Sequence, residues 1–393
     1  MKKKLLGISM CAVMALSLLS GCGSNSGSGS GSGSEGGSSD VFKIGAIGPL
    51  TGGAAAYGNA VAWGAQIAVD EINAEGGING YRIEYKAEDD ELDNQKSVNA
   101  YNTLKDWGAQ FVVGSTTSGC CIAVADESHN DNLFQITPSG SAVDCVKYDN
   151  AFRVCFSDPA QGTASAQYIG TNKLATKIAI IYDSSDVYSS GITETFVAEA
   201  ANQGLEIVSQ EAFTSDSKTD FSVQIQKAID GKAELIFLPI YYSEAALILQ
   251  QASTMGVTAT FFGCDGMDGI LGVENFDTSL AEGLMLLTPF SADATDDLTQ
   301  SFVKKFKEAH DIVPNQFAAD AYDAVYAIKA AAEKAGVTPS MSVSDICDAM
   351  KTAMTQITVD GLTSSGMTWS AEGEPTKEPK AVVIKNGEYV LAE

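Results

Sequence analysis

The feature that most constrains the fold is a regular alternation of short apolar runs and amphipathic segments from residue 41 onward. The run FKIGAIGPL (42–50) is rich in β-forming residues, and AVAWGAQIAVDEIN (60–73) carries apolar residues at helical spacing. Such alternation predicts parallel sheets flanked by helices, and near-continuous apolar strands predict sheets that are covered on both faces. Two series, before and after about residue 157, therefore predict an α/β chain with two sheets in two lobes.

The N-terminal residues have a different composition. Three lysines at 2–4 precede an apolar stretch at 5–19, which is typical of a secretory signal and too short for a membrane-spanning helix. The sequence LSGC that ends at Cys22 resembles the bacterial lipobox, in which the cysteine is lipidated; the alternative is a plain signal peptide with an incidental cysteine. We predict a signal peptide at 1–21, a lipid on Cys22, and a Gly/Ser tether at 22–40 that spans about 20–25 Å.

The net charge restricts the partners. The formal charge is −26, and removal of the three lysines in residues 1–21 makes the mature value −29. A surface of this sign repels phosphate backbones, so we expect no binding to nucleic acid.

The cysteines give no metal or redox motif. Eight are present and none forms a C-x-x-C pair, which argues against a zinc ribbon or a redox-active pair. Six of them follow the leader and the anchor: Cys120, Cys121, Cys145, Cys155, Cys264 and Cys347. Export permits disulfides, and both a bridge from Cys120 or Cys121 to Cys145 and buried free thiols stay open.

The segments that follow the predicted strands are small, hydroxylated, aromatic or acidic. They include PLTGGAAAYG, STTSG, PSGSA, DSSDVYSSG, YYSE and CDGMDG. Ligands of open α/β sheets bind beyond the carboxyl ends of the strands. Hydroxyl and N–H donors suit a carboxylate, an acid suits an ammonium group, and aromatic rings suit an apolar side chain, so the set favours a small zwitterion. Ordinary turn chemistry is the alternative.

Catalytic motifs are missing from the sequence. The two histidines, His129 and His310, have no further metal ligand at useful spacing, and neither H-E-x-x-H nor a P-loop occurs. The acidic run EDDELD (88–93) lacks the glycine and terminal glutamate of an EF-hand loop. We therefore predict a protein that is not an enzyme and that needs no cofactor or metal.

Three stretches carry a family resemblance: IGAIGPLTGGAAAYG, GAQIAVDEINAEGGINGYRIEYKAEDDELDNQKSV and FRVCFSDPAQG. They resemble the leucine/isoleucine/valine-binding type of periplasmic solute-binding protein, the receptors of ABC importers for branched-chain and other amino acids. The resemblance implies the type I fold, with two α/β lobes joined by three hinge crossovers. It places lobe one at 41–157 plus 288–374 and lobe two at 158–287 plus 375–393.

The resemblance also implies contacts for the head group of an amino acid. Ser118 matches the serine that takes the α-carboxylate, and Ser141 falls where the family has a threonine. Gly140 would offer its carbonyl oxygen. Asp265 stands in place of a glutamate that pairs with the ammonium group.

Aromatic and small residues complete the implied site. Tyr188 matches a tyrosine that closes over the head group, and Tyr241 matches an aromatic residue in the wall of lobe two. Tyr57 replaces a tryptophan over the side-chain pocket. Thr117 and Leu92 replace two cysteines that form a disulfide in some relatives, so that bridge is absent.

Taken together, these residues predict an extracytoplasmic, lipid-anchored receptor for an amino acid or a close analogue. We expect a monomer that delivers its ligand to an ABC permease in the membrane. Two alternatives stay open: a sensor subunit for a separate signalling partner, and a receptor for a urea, short-amide or nucleoside ligand on the same fold.

Overall fold

The computed structural model describes residues 41–392. The predicted signal peptide, the lipidated Cys22 and the tether lie outside the described residues. The strands are β1 Val41–Gly48, β2 Arg82–Asp89, β3 Phe111–Val113, β4 Phe134–Thr137, β5 Ala151–Arg153, β6 Lys177–Asp183, β7 Glu206–Phe213, β8 Leu235–Leu238, β9 Thr260–Gly263, β10 Met285–Thr288, β11 Lys380–Lys385 and β12 Glu388–Leu391. The α-helices are α1 Ala55–Ala74, α2 Asn94–Trp107, α3 Ser118–Asn130, α4 Asp158–Thr171, α5 Val187–Ala200, α6 Ser222–Asp230, α7 Tyr242–Thr254, α8 Asp297–His310, α9 Gln316–Ala335 and α10 Val343–Met354.

Local sequence signals set the ends of several helices. Helix α2 begins after Asp93, whose side chain accepts the N–H of Lys96 at 2.9 Å, and it ends at Gly108 with φ 89°. An N-terminal aspartate and a C-terminal left-handed glycine are the expected stops of a helix. Helix α9 follows the same rule, with Asn315 before it and Gly336 after it.

The first sheet is entirely parallel, in the order β2-β1-β3-β4-β5. Two helices that come much later in the chain also pack on this sheet: α9, which contacts α1 as well, and α10, which contacts α9. The α1–α9 contact is close: a Cβ atom on Gly64 would lie 2.1 Å from the carbonyl oxygen of Ala318. The two helices therefore pack backbone against backbone, which only glycine permits at this position.

The second sheet has the order β12-β11-β10-β9-β8-β6-β7. It is parallel from β7 to β10, but β11 pairs antiparallel with β10 and with β12. The second sheet is therefore mixed, and its antiparallel edge is a feature that the predicted parallel sheets did not include. Asn386 and Gly387 have φ values of 54° and 76°, the geometry of a tight hairpin turn that joins β11 to β12.

The chain passes between the two sheets three times: after β5, after β10 and before β11. The predicted α/β class and its two sheets flanked by helices are confirmed. The residue boundaries given for the two lobes stay a prediction. Among residues 41–392, no helix combines the length and the apolarity that a membrane crossing requires.

The six cysteines of the folded body are buried and free. Of the two alternatives left open by the sequence, the structure therefore shows buried free thiols and no bridge from Cys120 or Cys121 to Cys145. Burial raises the pKa of Cys120 to about 12, which keeps this sulfur protonated and unreactive at neutral pH.

Candidate ligand-binding site

The loops that follow several strands of both sheets meet around a void of about 10 Å³, the lower limit of the space that one water molecule needs. Six predicted site residues line it: Tyr57, Thr117, Ser118, Tyr188, Tyr241 and Asp265. Four residues that the sequence did not single out complete the wall: Thr116, Ser139, Gly266 and Phe317. The two halves of the molecule are therefore in direct contact, and the cleft between them is closed.

Ser118 belongs to the hydroxyl-rich side of the cleft, and the predicted contacts Ser141 and Gly140 lie next to it without lining the void. Ser118 is the first residue of α3, and its hydroxyl accepts the N–H groups of Ser141 and Ala142, both at 3.1 Å. The two serine hydroxyls lie 3.4 Å apart. The neighbouring Thr117 hydroxyl is buried and has no hydrogen-bond partner among the described residues. Donors at a helix N-terminus suit an anion, as the sequence predicts for this side.

Arg153 holds the loop that carries Ser141, and sequence reasoning missed it. This side chain is fully buried, and its guanidinium donates to the carbonyl oxygens of residues 140–143. Its Nε lies 3.3 Å from the Glu374 carboxylate. The Gly140 carbonyl, which the sequence assigned to the ligand, already accepts from Arg153 at 3.3 Å, so one of its two lone pairs is in use.

Asp265 is the buried acid on the opposite side. Its Oδ1 accepts the Tyr188 hydroxyl at 2.7 Å and the Gly266 N–H at 2.8 Å. Its backbone is also fixed, since Gln161 accepts its N–H and Gln316 donates to its carbonyl. Burial raises the pKa of Asp265 to about 6, although these hydrogen bonds oppose the shift. The structure therefore gives Asp265 a defined position beside Tyr188, while the predicted contact of Asp265 with a ligand stays a prediction.

Tyr57 closes the cleft. Its hydroxyl donates to the carbonyl of Gly266 and accepts the N–H of Tyr242 at 3.2 Å. Its ring centroid lies 5.4 Å from that of Tyr241 and 4.3 Å from that of Phe317. The hydroxyl that distinguishes tyrosine from the family's tryptophan thus bridges the two halves of the molecule.

The residues that line the void but were not predicted as site residues have weak sequence signals. Phe317 is one apolar residue in the first turn of a long helix, where it looks like any other core residue. Thr116 and Ser139 belong to the hydroxylated segments after β3 and β4, so the general pattern pointed to them without naming them.

Comparison with known proteins decides the family. A sequence profile described as periplasmic binding protein matches residues 41–388. The chain belongs to the periplasmic binding protein family. Members of this family are extracytoplasmic solute-binding proteins and not enzymes. The family therefore agrees with the absence of catalytic motifs noted in the sequence.

Individual relatives of this periplasmic binding protein include proteins named for branched-chain amino acids. It is 33% identical over 295 residues to the Leu/Ile/Val-binding protein BraC3 of Rhizobium johnstonii, an alignment that covers 75% of this chain and 79% of the relative. The branched-chain amino acid transporter substrate-binding protein LivJ of Streptococcus pneumoniae, solved with isoleucine, superposes with a TM-score of 0.81. That pair is 28% identical, and the match covers 90% of this chain and 99% of LivJ.

A more distant neighbour shares the fold alone. A solute-binding protein from R. palustris, solved with benzoate, has a TM-score of 0.79 at 19% identity, with 89% of this chain and 95% of the neighbour covered. That protein binds a carboxylate that has no amine, so the fold by itself does not define the ligand.

Proposed function

We propose that this protein is the substrate-binding lipoprotein of an ABC importer and that it binds a branched-chain or related amino acid in the cleft. The observation that supports this most directly is the position of the Thr117 and Ser118 hydroxyls across the void from the buried acid Asp265. The donors suit an α-carboxylate and the acid suits an α-ammonium group. The aromatic rings of Tyr57, Tyr241 and Phe317 then surround the side chain.

The closed cleft suggests how binding is coupled to transport. A ligand that satisfies Ser118 on one side and Asp265 on the other stabilises closure only when both ends are filled. Lipidation of Cys22 and the tether would keep the receptor at the membrane, where an ABC permease can receive the closed form. Mass spectrometry of the mature chain tests the anchor, since it should find a diacylglyceryl group on Cys22.

A thermal-shift screen of the full chain tests the ligand class. Leucine, isoleucine and valine are expected to raise the melting temperature by several degrees, because a ligand at a hundred times its dissociation constant adds about 2.7 kcal/mol to folding stability. The panel also includes benzoate, urea, short amides and nucleosides. A shift with benzoate or a nucleoside and none with any amino acid would contradict the proposal while leaving the family intact.

The sensor alternative is tested separately. Crosslinking of the ligand-bound protein in membranes is expected to capture a permease. Capture of a histidine kinase or a chemoreceptor instead would favour the sensor function.

We expect pH to act in opposite directions on stability and on affinity. Burial raises the pKa of Asp265 to about 6 and that of Asp268 to about 7, above the value near 3.8 that they share in the unfolded chain. The folded state therefore binds more protons between about pH 4 and 7, and the ligand-free protein gains stability as the pH falls through that window. An ammonium ligand needs the ionised Asp265, so its affinity is expected to fall about tenfold between pH 7.5 and pH 5.

Melting curves without ligand and calorimetric titrations with ligand, each at pH 5.0 and 7.5, check both signs. Asp265→Asn is the control, because it removes this titrating group, and its affinity is expected to change less with pH than that of the wild type. A lower melting temperature at pH 5.0 for the ligand-free wild type would contradict the expected ionisation behaviour.

A further inference from the structure

Asp158 is the one buried carboxylate in residues 41–392 for which neither oxygen has a hydrogen-bond partner. It is the first residue of α4 and is 1% exposed. Helix capping does not explain the burial of this carboxylate, because the capping side chain of α4 is Ser157, which accepts the N–H of Ala160. An ionised carboxylate that is buried without a partner is strongly unfavourable, so some other interaction must account for it.

Buried aspartates elsewhere in the described chain are satisfied. Asp323 accepts the N–H groups of Leu362 and Thr363 at 2.7 and 2.9 Å. Asp320 pairs with Lys377 at 2.6 Å. Protonation removes the charge, but the neutral carboxyl group still has an O–H that needs an acceptor, for which the Ser141 hydroxyl is the nearby candidate.

The surroundings of Asp158 connect it to both sides of the cleft. Its N–H donates to the carbonyl of Ser141 at 2.9 Å. Burial is the main cause of its raised pKa, and the nearby charge of Asp265 contributes, while the Ser141 hydroxyl opposes the shift. One turn along α4, Gln161 accepts the N–H of Asp265 at 3.2 Å, but its own Nε2 has no partner. The unpartnered groups therefore lie next to predicted contacts for the head group: Asp158 contacts Ser141, Gln161 contacts Asp265, and the Thr117 hydroxyl lines the void.

We propose that Asp158 binds the ligand and shares its α-ammonium group with Asp265, and that this pair of acids makes the cleft selective for primary amines. An ammonium group has three N–H donors and can serve two carboxylates at once. The inference rests on the proposed function, because it takes the ligand to lie between Ser118 and Asp265. Asp158 then excludes carboxylate ligands that lack an amine, because such a ligand leaves both acids unpaired.

The test compares leucine, isoleucine and valine with their amine-free analogues, such as 4-methylpentanoate for leucine, by calorimetry on the full chain. Asp158→Asn is expected to weaken amino-acid binding by about tenfold or more and to change binding of the analogues by less than about twofold. Asp323→Asn is the matched control, because Asp323 is equally buried and its partners do not line the void. This control is expected to keep the wild-type preference for amines.

The melting temperature without ligand gives a second readout. Asp158→Asn is expected to keep it within about 2 °C of the wild type, because burial already disfavours the charged form of Asp158 and asparagine keeps the shape of the side chain, whereas loss of a residue that supports the fold lowers it. Asp158→Ser, a smaller substitution, repeats both measurements if the asparagine variant does not fold.

The outcomes separate the two proposals. A lower melting temperature with equal weakening of amino acids and analogues would make Asp158 structural and overturn the inference. Unchanged binding of amino acids would overturn it as well, with the proposed function intact. A wild-type protein that binds none of the amino acids would overturn both.

Discussion

Arg153→Lys is expected to lower the free energy of unfolding by about 3–5 kcal/mol and to weaken ligand binding by more than tenfold. A lysine keeps the charge but cannot reach the carbonyl oxygens of residues 140–143 that the planar guanidinium serves together. Each carbonyl left unsatisfied in the interior costs about 1–3 kcal/mol. The loop that places Ser141 next to Ser118 then loses its support, and the effect reaches the ligand through this positioning residue.

Urea unfolding and calorimetry measure the two effects. Arg82→Lys is the control, because Arg82 is an exposed residue at the start of β2, where the same change is expected to cost less than about 0.5 kcal/mol. Glu374→Gln removes only the half-exposed partner of Arg153 and should have a small effect. An unchanged urea midpoint for Arg153→Lys would show that the four carbonyls do not depend on this side chain.

Asp265→Asn is expected to weaken binding of an amino acid by about 10- to 150-fold, because a hydrogen bond to a charged group is worth about 1.5–3 kcal/mol. The substitution keeps the shape of the side chain and an oxygen that can accept from Tyr188. The fold should therefore persist, and the loss should appear in the affinity and not in the melting temperature.

Asp268→Asn is the matched control for this second prediction. Asp268 lies three residues away, is also buried, and accepts the N–H of Gln316 at 2.9 Å, a bond that an asparagine oxygen can still accept. It does not line the void, and we expect its affinity to stay within about threefold of the wild type. Equal losses in the two variants would indicate a general loss of negative charge and not a contact at Asp265.

The sequence was sufficient to predict the fold class because strand and helix periodicities are local properties of the chain. Strand ends and a family resemblance pointed to the acid, the tyrosines and Ser118 that line the void, and their contacts with a ligand stay a prediction. The sequence did not predict the antiparallel edge of the second sheet, because β11 pairs with β10, which lies about a hundred residues earlier in the chain. Pairing over such a distance leaves no local pattern.

The same limit explains the missed residues. In the sequence, Arg153 is only a basic residue in an apolar run. Its structural role depends on four carbonyl groups that come close to it only in the folded chain. Asp158 looks like an ordinary acidic residue in the first turn of a helix, and only the absence of partners in three dimensions sets it apart. The bridge from Tyr57 to Gly266 joins residues more than two hundred positions apart.

The close packing of α1 on α9 fixes a frame of reference for spectroscopy. Because Gly64 lies against the backbone of Ala318, Tyr57 and Phe317 belong to one rigid unit, and opening of the cleft must separate Tyr57 from Gly266. Fluorophores on exposed positions of α1 and α7, such as Gln66 and Ser253, would therefore report opening through energy transfer. A pair on α1 and α9 would stay at constant distance, so the protein has its own internal standard for a ligand biosensor.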